Sequence, residues 1–184
     1  MNEVQFLSDD SGRPVFAVLP MSVYQALMAN QGTGALPAAP SLLCADGRHV
    51  RLPYGGPQAQ LDVLQLADLC HRLQTTQLAI GQRAQALSEF SEEEVRHGLD
   101  PWIRSFFLPE DSPYKNTMQA SNDVVEALVE TGIFERATLK FSHYYRPVKS
   151  LKIKQTALLA FLKQHGPLDP KYQVKVPPGW ESGS

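Results

Sequence analysis

The chain has 184 residues, 17 Arg/Lys against 19 Asp/Glu for a net charge of −2, and is 43% hydrophobic and 20% charged. Such a composition suits one globular domain or two small ones, and it excludes a disordered or collagen-like chain. No apolar run approaches the ~18 residues a membrane helix needs, the first residues lack a secretory signal, and Cys44 and Cys70 form neither a disulfide framework nor a CxxC pair, so a soluble, cytoplasmic setting is expected.

The small total hides a sorting of charge along the chain. Residues 1–60 carry three Arg/Lys and four Asp/Glu, residues 61–136 six and thirteen, and residues 137–184 eight and two. An acidic body with a basic patch toward one end is the expectation.

The chain opens as a β-hairpin. Val4 and Phe6, then Val15, Ala17 and Leu19, alternate on either side of the turn-prone Asp9-Asp10-Ser11-Gly12. Pro20 stops the second strand, Ser22 is a fair N-cap for a helix over residues 23–29, and residues 30–40 read as a connector. The run Gly12-Arg13-Pro14-Val15-Phe16-Ala17-Val18-Leu19-Pro20, with Tyr24 and Leu27 beyond it, resembles the hairpin element of prevent-host-death antitoxins, and covers about the first thirty residues. That resemblance implies a bacterial regulatory context.

A second hairpin is expected over residues 41–52, turning at Asp46-Gly47, with a break at Pro53-Tyr54-Gly55-Gly56-Pro57. Val63, Leu66, Leu69, Cys70 and Leu73 then recur at helical spacing, and another helix is expected over residues 78–90. Ser91 and Glu94 form a capping box, and Asp100-Pro101 reads as an N-cap with proline at the first helical position. Asn116 or Gln119 is expected to cap a helix through Val124, Val125, Leu128 and Val129, stopped by Gly132 before Ile133. A strand or hairpin arm follows over residues 138–147, then a last helix over residues 155–164 and a Pro/Gly-rich tail tethered through Tyr172 and Trp180.

The expected fold is α+β, with an N-terminal β-hairpin plus helix (residues 1–30), a connector with the second hairpin (31–57), a helical body (58–166) and a tail (167–184). Within the body, Val125, Leu128, Gly132, Ile133 and Phe134 loosely resemble the recognition helix and wing of winged-helix regulators, over about residues 116–154. The resemblance implies DNA binding. Lys140, His143, Arg146, Lys149, Lys152 and Lys154 lie within fifteen positions, interleaved with Phe141, Tyr144 and Tyr145. Cations neutralise phosphates and release counterions, while exposed rings stack on bases. With the polar stretch Lys115, Asn116, Thr117 and Gln119, these residues (Tyr144 included, Phe141 and Tyr145 not) make the candidate nucleic-acid contact set. The alternative for the cluster is a solvated edge whose aromatic rings pack inward.

Asp123, Glu126 and Glu130 fall on one face of the would-be recognition helix, where they oppose phosphate. A second helix-turn-helix candidate spans residues 64–87, with Gln77, Gln82, Arg83 and Gln85 as readers, though two amphipathic core helices explain it more simply. No GxSxG, Walker loop, HExxH or dinucleotide fingerprint occurs, so no enzyme and no cofactor are expected. Glu93 and His97 are four apart on a helix, a spacing that fits an ordinary ion pair better than a metal site. The leading expectation is a DNA-binding transcriptional regulator, dimeric because operators are commonly read as paired half-sites. The alternative is a non-catalytic interaction module, antitoxin-like or an adaptor, presenting its acidic helices to a protein partner.

Overall fold

The structure is a computed structural model and describes residues 5–8, 14–18, 20–23, 41–81 and 85–181. It divides into two units, Met1–Pro40 and Ser41–Ser184.

In the first unit, β1 (Gln5–Ser8) pairs antiparallel with β2 (Pro14–Val18), with Phe6 opposite Ala17 and an irregularity between Leu7 and Ser8. Residues 21–23 turn helically after Pro20, whose carbonyl accepts the Val23 N–H at 2.9 Å. The rest of the helix expected over residues 23–29, and the connector over residues 30–40, lie outside the described residues.

The second unit begins with the second hairpin, which belongs to the body and not to a connector. Leu43 bridges Val50 around the expected Asp46-Gly47 turn, and Gly47 takes a φ of +65° there. The regular ladder lies one loop later: β3 (His49–Arg51) pairs with β4 (Gln60–Asp62) across the proline-glycine break. Asp62 then starts α1 (Val63–Arg72). Its Oδ1 accepts from Leu64 N at 2.8 Å, and Arg48 grips the same carboxylate through Nε (3.1 Å) and an Nη (2.6 Å). Burial pushes this carboxyl up, but Arg48 and the capping N–H groups outweigh it and hold it below its usual range.

A carboxyl depressed in the fold stabilises it above the ordinary value near 3.8, and that contribution disappears as pH falls through the depressed folded value. Asp62→Ala will therefore cost about 1–2 kcal/mol at pH 7 and much less near pH 2, read from urea midpoints at both pH values. An equal loss at the two pH values would contradict this role.

α1 buries Val63, Leu66, Ala67, Leu69 and Cys70 on its apolar face. Among the described residues, the α-helix expected over residues 78–90 is replaced by a strand at its start and a single 3-10 turn at Leu87–Glu89. Gln74 takes a positive φ of 52° and reverses the chain, and β5 (Gln77–Ala79) follows as a strand. Leu78, Ala79 and Ile80 form a short buried apolar run, which periodicity cannot distinguish from a helical turn, and pairing with a distant strand decides the outcome. The helix-turn-helix candidate over residues 64–87 falls with it. Gln77 sits half-buried in the strand, the Gln85 carbonyl faces Arg104, and residues 82–84 lie outside the described residues.

The capping box at Ser91 and Glu94 opens α2 (Glu92–His97). Asp100 is no N-cap. It lies inside α3 (Leu99–Trp102), which Gly98 precedes and a π-helical turn (Ile103–Phe107) extends. A Cβ on Gly98 would stand 2.5 Å from the Glu94 carbonyl, so the corner between α2 and α3 has no room for a side chain. Asp100 is 2% exposed. Its Oδ1 accepts from the N–H groups of Gln119 (2.6 Å) and Ala120 (3.0 Å), and its Oδ2 pairs with the fully buried Arg104 at 3.1 Å.

Ser121, not Asn116 or Gln119, caps α4 (Asn122–Glu130). Gly132 ends the helix at a φ of +77° with Ile133 buried beyond it, as the pattern predicts. The strand expected over residues 138–147 is displaced. β6 (Phe134–Leu139) and β7 (Val148–Ile153) form an antiparallel hairpin, and residues 140–147 are the loop between them. With β5 they make a three-stranded sheet of order β5-β7-β6. Among the described residues the chain is thus α+β, and in the Ser41–Ser184 unit helices and small antiparallel sheets surround one hydrophobic core.

α5 (Gln155–His165) packs on α1 and stops at Gly166. The tail is docked by Trp180, which is buried edge-on against Phe106, while Tyr172 is exposed. None of the described helices is long and apolar enough to cross a membrane.

Candidate nucleic-acid interface

The β6–β7 loop is built from the inside out. Phe141 is buried at its base, and Tyr144 packs edge-on against it with ring centroids 6.0 Å apart. His143 lies against Tyr144 at 4.3 Å and stacks on His97 of α2 at 5.7 Å. Burial raises the Tyr144 hydroxyl above its ordinary value, with Glu94 adding to the shift. Lys140 donates through Nζ to the carbonyls of Tyr144 and Tyr145, which closes the loop on itself. What remains outside is Tyr145, 92% exposed, followed by exposed Arg146 and Pro147.

The expected basic cluster does not form one surface. Lys149 and Lys152 are three apart on β7, and alternation along a strand sends them to opposite faces. Lys149 sits opposite Thr138 and is exposed. Lys152 sits opposite Glu135 and pairs with it at 3.2 Å. Lys140 is committed to the loop carbonyls, both His143 ring nitrogens are buried, and Lys154 is exposed where α5 begins. Of the candidate cluster, Arg146, Lys149 and Lys154 are therefore the cations that face solvent with neither a carboxylate nor a loop carbonyl paired to them, among the described residues, and the first two lie at the loop.

The polar stretch before α4 divides as well. Lys115 is half-buried, while Asn116 and Thr117 are exposed. Asn116 accepts the Leu87 N–H through Oδ1 at 3.2 Å. Gln119 is a core residue: it is fully buried and donates to the carbonyls of Tyr54 (2.9 Å) and Thr117 (3.0 Å). It fixes the loop that leads into α4 and has no access to a ligand outside.

The acidic face of α4 is partly occupied. Glu126 pairs with Arg136 of β6 at 2.5 Å, and Glu130 accepts from the Ser41 hydroxyl at 2.5 Å, which leaves Asp123 exposed. Glu93 and His97 approach to 3.6 Å, an ion pair only when the imidazole is protonated, which burial disfavours. Cys70 is buried in the core, where burial pushes its thiol far up.

Sequence reasoning missed Tyr145, because nothing in the pattern separates the ring that leaves the loop from Phe141 and Tyr144, which enter it. It also missed His97 as a neighbour of this loop, since the stack joins residues that topology alone brings together. Comparison of the chain with protein-family models, curated proteins and solved structures found no match.

Proposed function

We propose that the Ser41–Ser184 unit binds double-stranded DNA as a winged-helix-type module, with the 140–147 loop as its wing. The arrangement that supports this reading is α4, a glycine stop and the β6–β7 hairpin, with β5 from earlier in the chain completing a sheet of order β5-β7-β6. In this reading α4 serves as the recognition helix and the β6–β7 hairpin as the wing. The wing tip offers Tyr145 and Arg146, with Lys149 just behind them.

Arg146 and Lys149 supply the phosphate contacts, and Asn116, Thr117 and Asn122 the polar groups near the start of α4. A dimer placing two such units on paired half-sites completes the regulator. Asp123 and its neighbours keep the middle of α4 away from phosphate, so binding leans on the wing.

The test is fluorescence anisotropy against random duplex DNA and single-stranded RNA at several salt concentrations. The protein will bind duplex with a steep negative salt dependence. Arg146→Glu with Lys149→Glu will weaken binding at least about tenfold and flatten the logarithmic salt slope by about two. Lys152→Glu will do less, because Lys152 is already paired with Glu135. No binding to duplex at low salt removes this reading.

One observation favours the interaction module as a second reading. The exposed face of α4 carries Asp123, Glu126 and Glu130, a surface suited to a basic protein partner. Failure of the DNA test would leave it ahead.

A further inference from the structure

A cleft of about 440 Å³ lies where the end of α2, the turn between α1 and β5, and the start of the 140–147 loop meet. Among the described residues, no acidic side chain lines it. Arg96 is its principal cation. Glu92 stands one turn earlier on α2, at ion-pair spacing, yet the half-buried Arg96 guanidinium has no ion pair or hydrogen bond among the described residues. Lys140 adds positive charge from the loop, with its ammonium already donating to the Tyr144 and Tyr145 carbonyls. Glu93 lies 3.6 Å from His97 Nε2 but does not line the cleft.

Neutral donors stand beside these charges. The Thr76 and Ser142 hydroxyls are exposed on the cleft wall and make no hydrogen bond among the described residues. Ile153 donates to the Thr76 carbonyl and Ile80 to that of Lys149, so alternation along the strand pair turns the Gln77 N–H away from β7. Gln77 lines the same cleft, at the edge of the sheet. Leu73 and the buried Phe141 supply apolar wall next to this polar set.

We infer that this cleft binds a small phosphate monoester, its phosphate on Arg96 and its carbon body against Leu73 and Phe141. A guanidinium presents a planar fork that meets two oxygens of an oxyanion at once. A phosphate monoester has a third terminal oxygen and about two negative charges near neutral pH, which gives the hydroxyls, the Gln77 N–H and the Lys140 charge something to act on. A carboxylate leaves part of that set unused. The size of the cleft and its mixture of apolar wall with a few polar groups suit a small ligand. Arg146 and Lys149 lie outside it, so the inference goes beyond duplex binding and does not rest on it.

The experiment is an NMR titration of the intact chain at constant ionic strength, without nucleic acid, using phenyl phosphate, inorganic phosphate and benzoate. Phenyl phosphate will saturate, and the amides that shift will be those of residues 73–77, 96–97 and 140–142. Inorganic phosphate will shift the same amides with lower affinity, and benzoate will bind at least about tenfold more weakly than phenyl phosphate. Arg96→Gln will weaken phenyl phosphate by about tenfold, while Lys163→Gln, an exposed cation on α5, will leave it unchanged. Ser142→Ala, at an exposed position, will weaken it by about threefold and serves if Arg96→Gln does not fold. Shifts spread over the exposed lysines and arginines, or benzoate binding as tightly as phenyl phosphate, would overturn the assignment. So would full affinity in both cleft variants. A chain that ignores phenyl phosphate but loses duplex affinity in Arg96→Gln would give the cleft to the DNA backbone instead, which also overturns it. Failure of duplex binding leaves the titration untouched, so the two readings fail separately.

Discussion

Arg104→Ala will lower the stability of the Ser41–Ser184 unit by about 3–5 kcal/mol, the largest single-residue effect expected outside the apolar core. Arg104 is fully buried, donates twice to the Gln85 carbonyl at 3.0 and 3.1 Å, and lies 5.1 Å over the Phe90 ring. Its Nε meets Asp100 at 3.1 Å as an ion pair without a well-directed hydrogen bond. Removing it strands the Asp100 carboxylate in the interior with only the Gln119 and Ala120 N–H groups for company. The segment around Gln85 loses its anchor in the same step. Urea denaturation measures the loss, and a change below about 1 kcal/mol would show that water reaches Asp100. Replacing both partners, Asp100→Asn with Arg104→Met, will cost less than Arg104→Ala alone, because no unpaired charge is left buried.

Trp180→Ala is the second large effect, at about 3 kcal/mol. The ring is 4% exposed and meets Phe106 edge-on at 6.1 Å, and Phe106 in turn meets Trp102 at 6.3 Å, so the tail continues an aromatic series that starts in the core. Arg72 of α1 holds the same segment through the Val174 carbonyl and Glu181, and Gln65 donates to the Tyr172 carbonyl. Thermal melting of Trp180→Ala and of a chain ending at residue 173 will show comparable losses. Equal stability of the truncated and full chains would mean that the tail is only draped over α1.

Elements with their own local signals were legible in the sequence. α1 announced itself by apolar spacing, α2 by the Ser91–Glu94 box, and the end of α4 by Gly132 before Ile133, since each signal acts within one or two turns. The failures share a different cause. β5 looked helical because Leu78, Ala79 and Ile80 are too few to show a period, and their partner strand lies some seventy residues on. Asp100-Pro101 looked like a cap because aspartate before proline usually is one, yet here the carboxylate serves backbone N–H groups at 119 and 120. The basic cluster was visible as composition, but not its division between strand faces. That follows from both lysines lying in one strand, β7, where a spacing of three sends them to opposite faces.

The order of strands in the sheet also bears on synthesis. β7 lies at the centre, between β5 and β6, and it is the last of the three to leave the ribosome. Until then β5 lacks its partner strand, and β6, made some fifty residues later, emerges with no earlier strand to pair with. The nascent chain therefore carries two unpaired strands and the exposed apolar side of α1 until residue 153 is free, and pairing comes late and all at once. Trp180 emerges later still, so the packing of the tail against Phe106 is the closing step of a fold whose middle is filled after its edges.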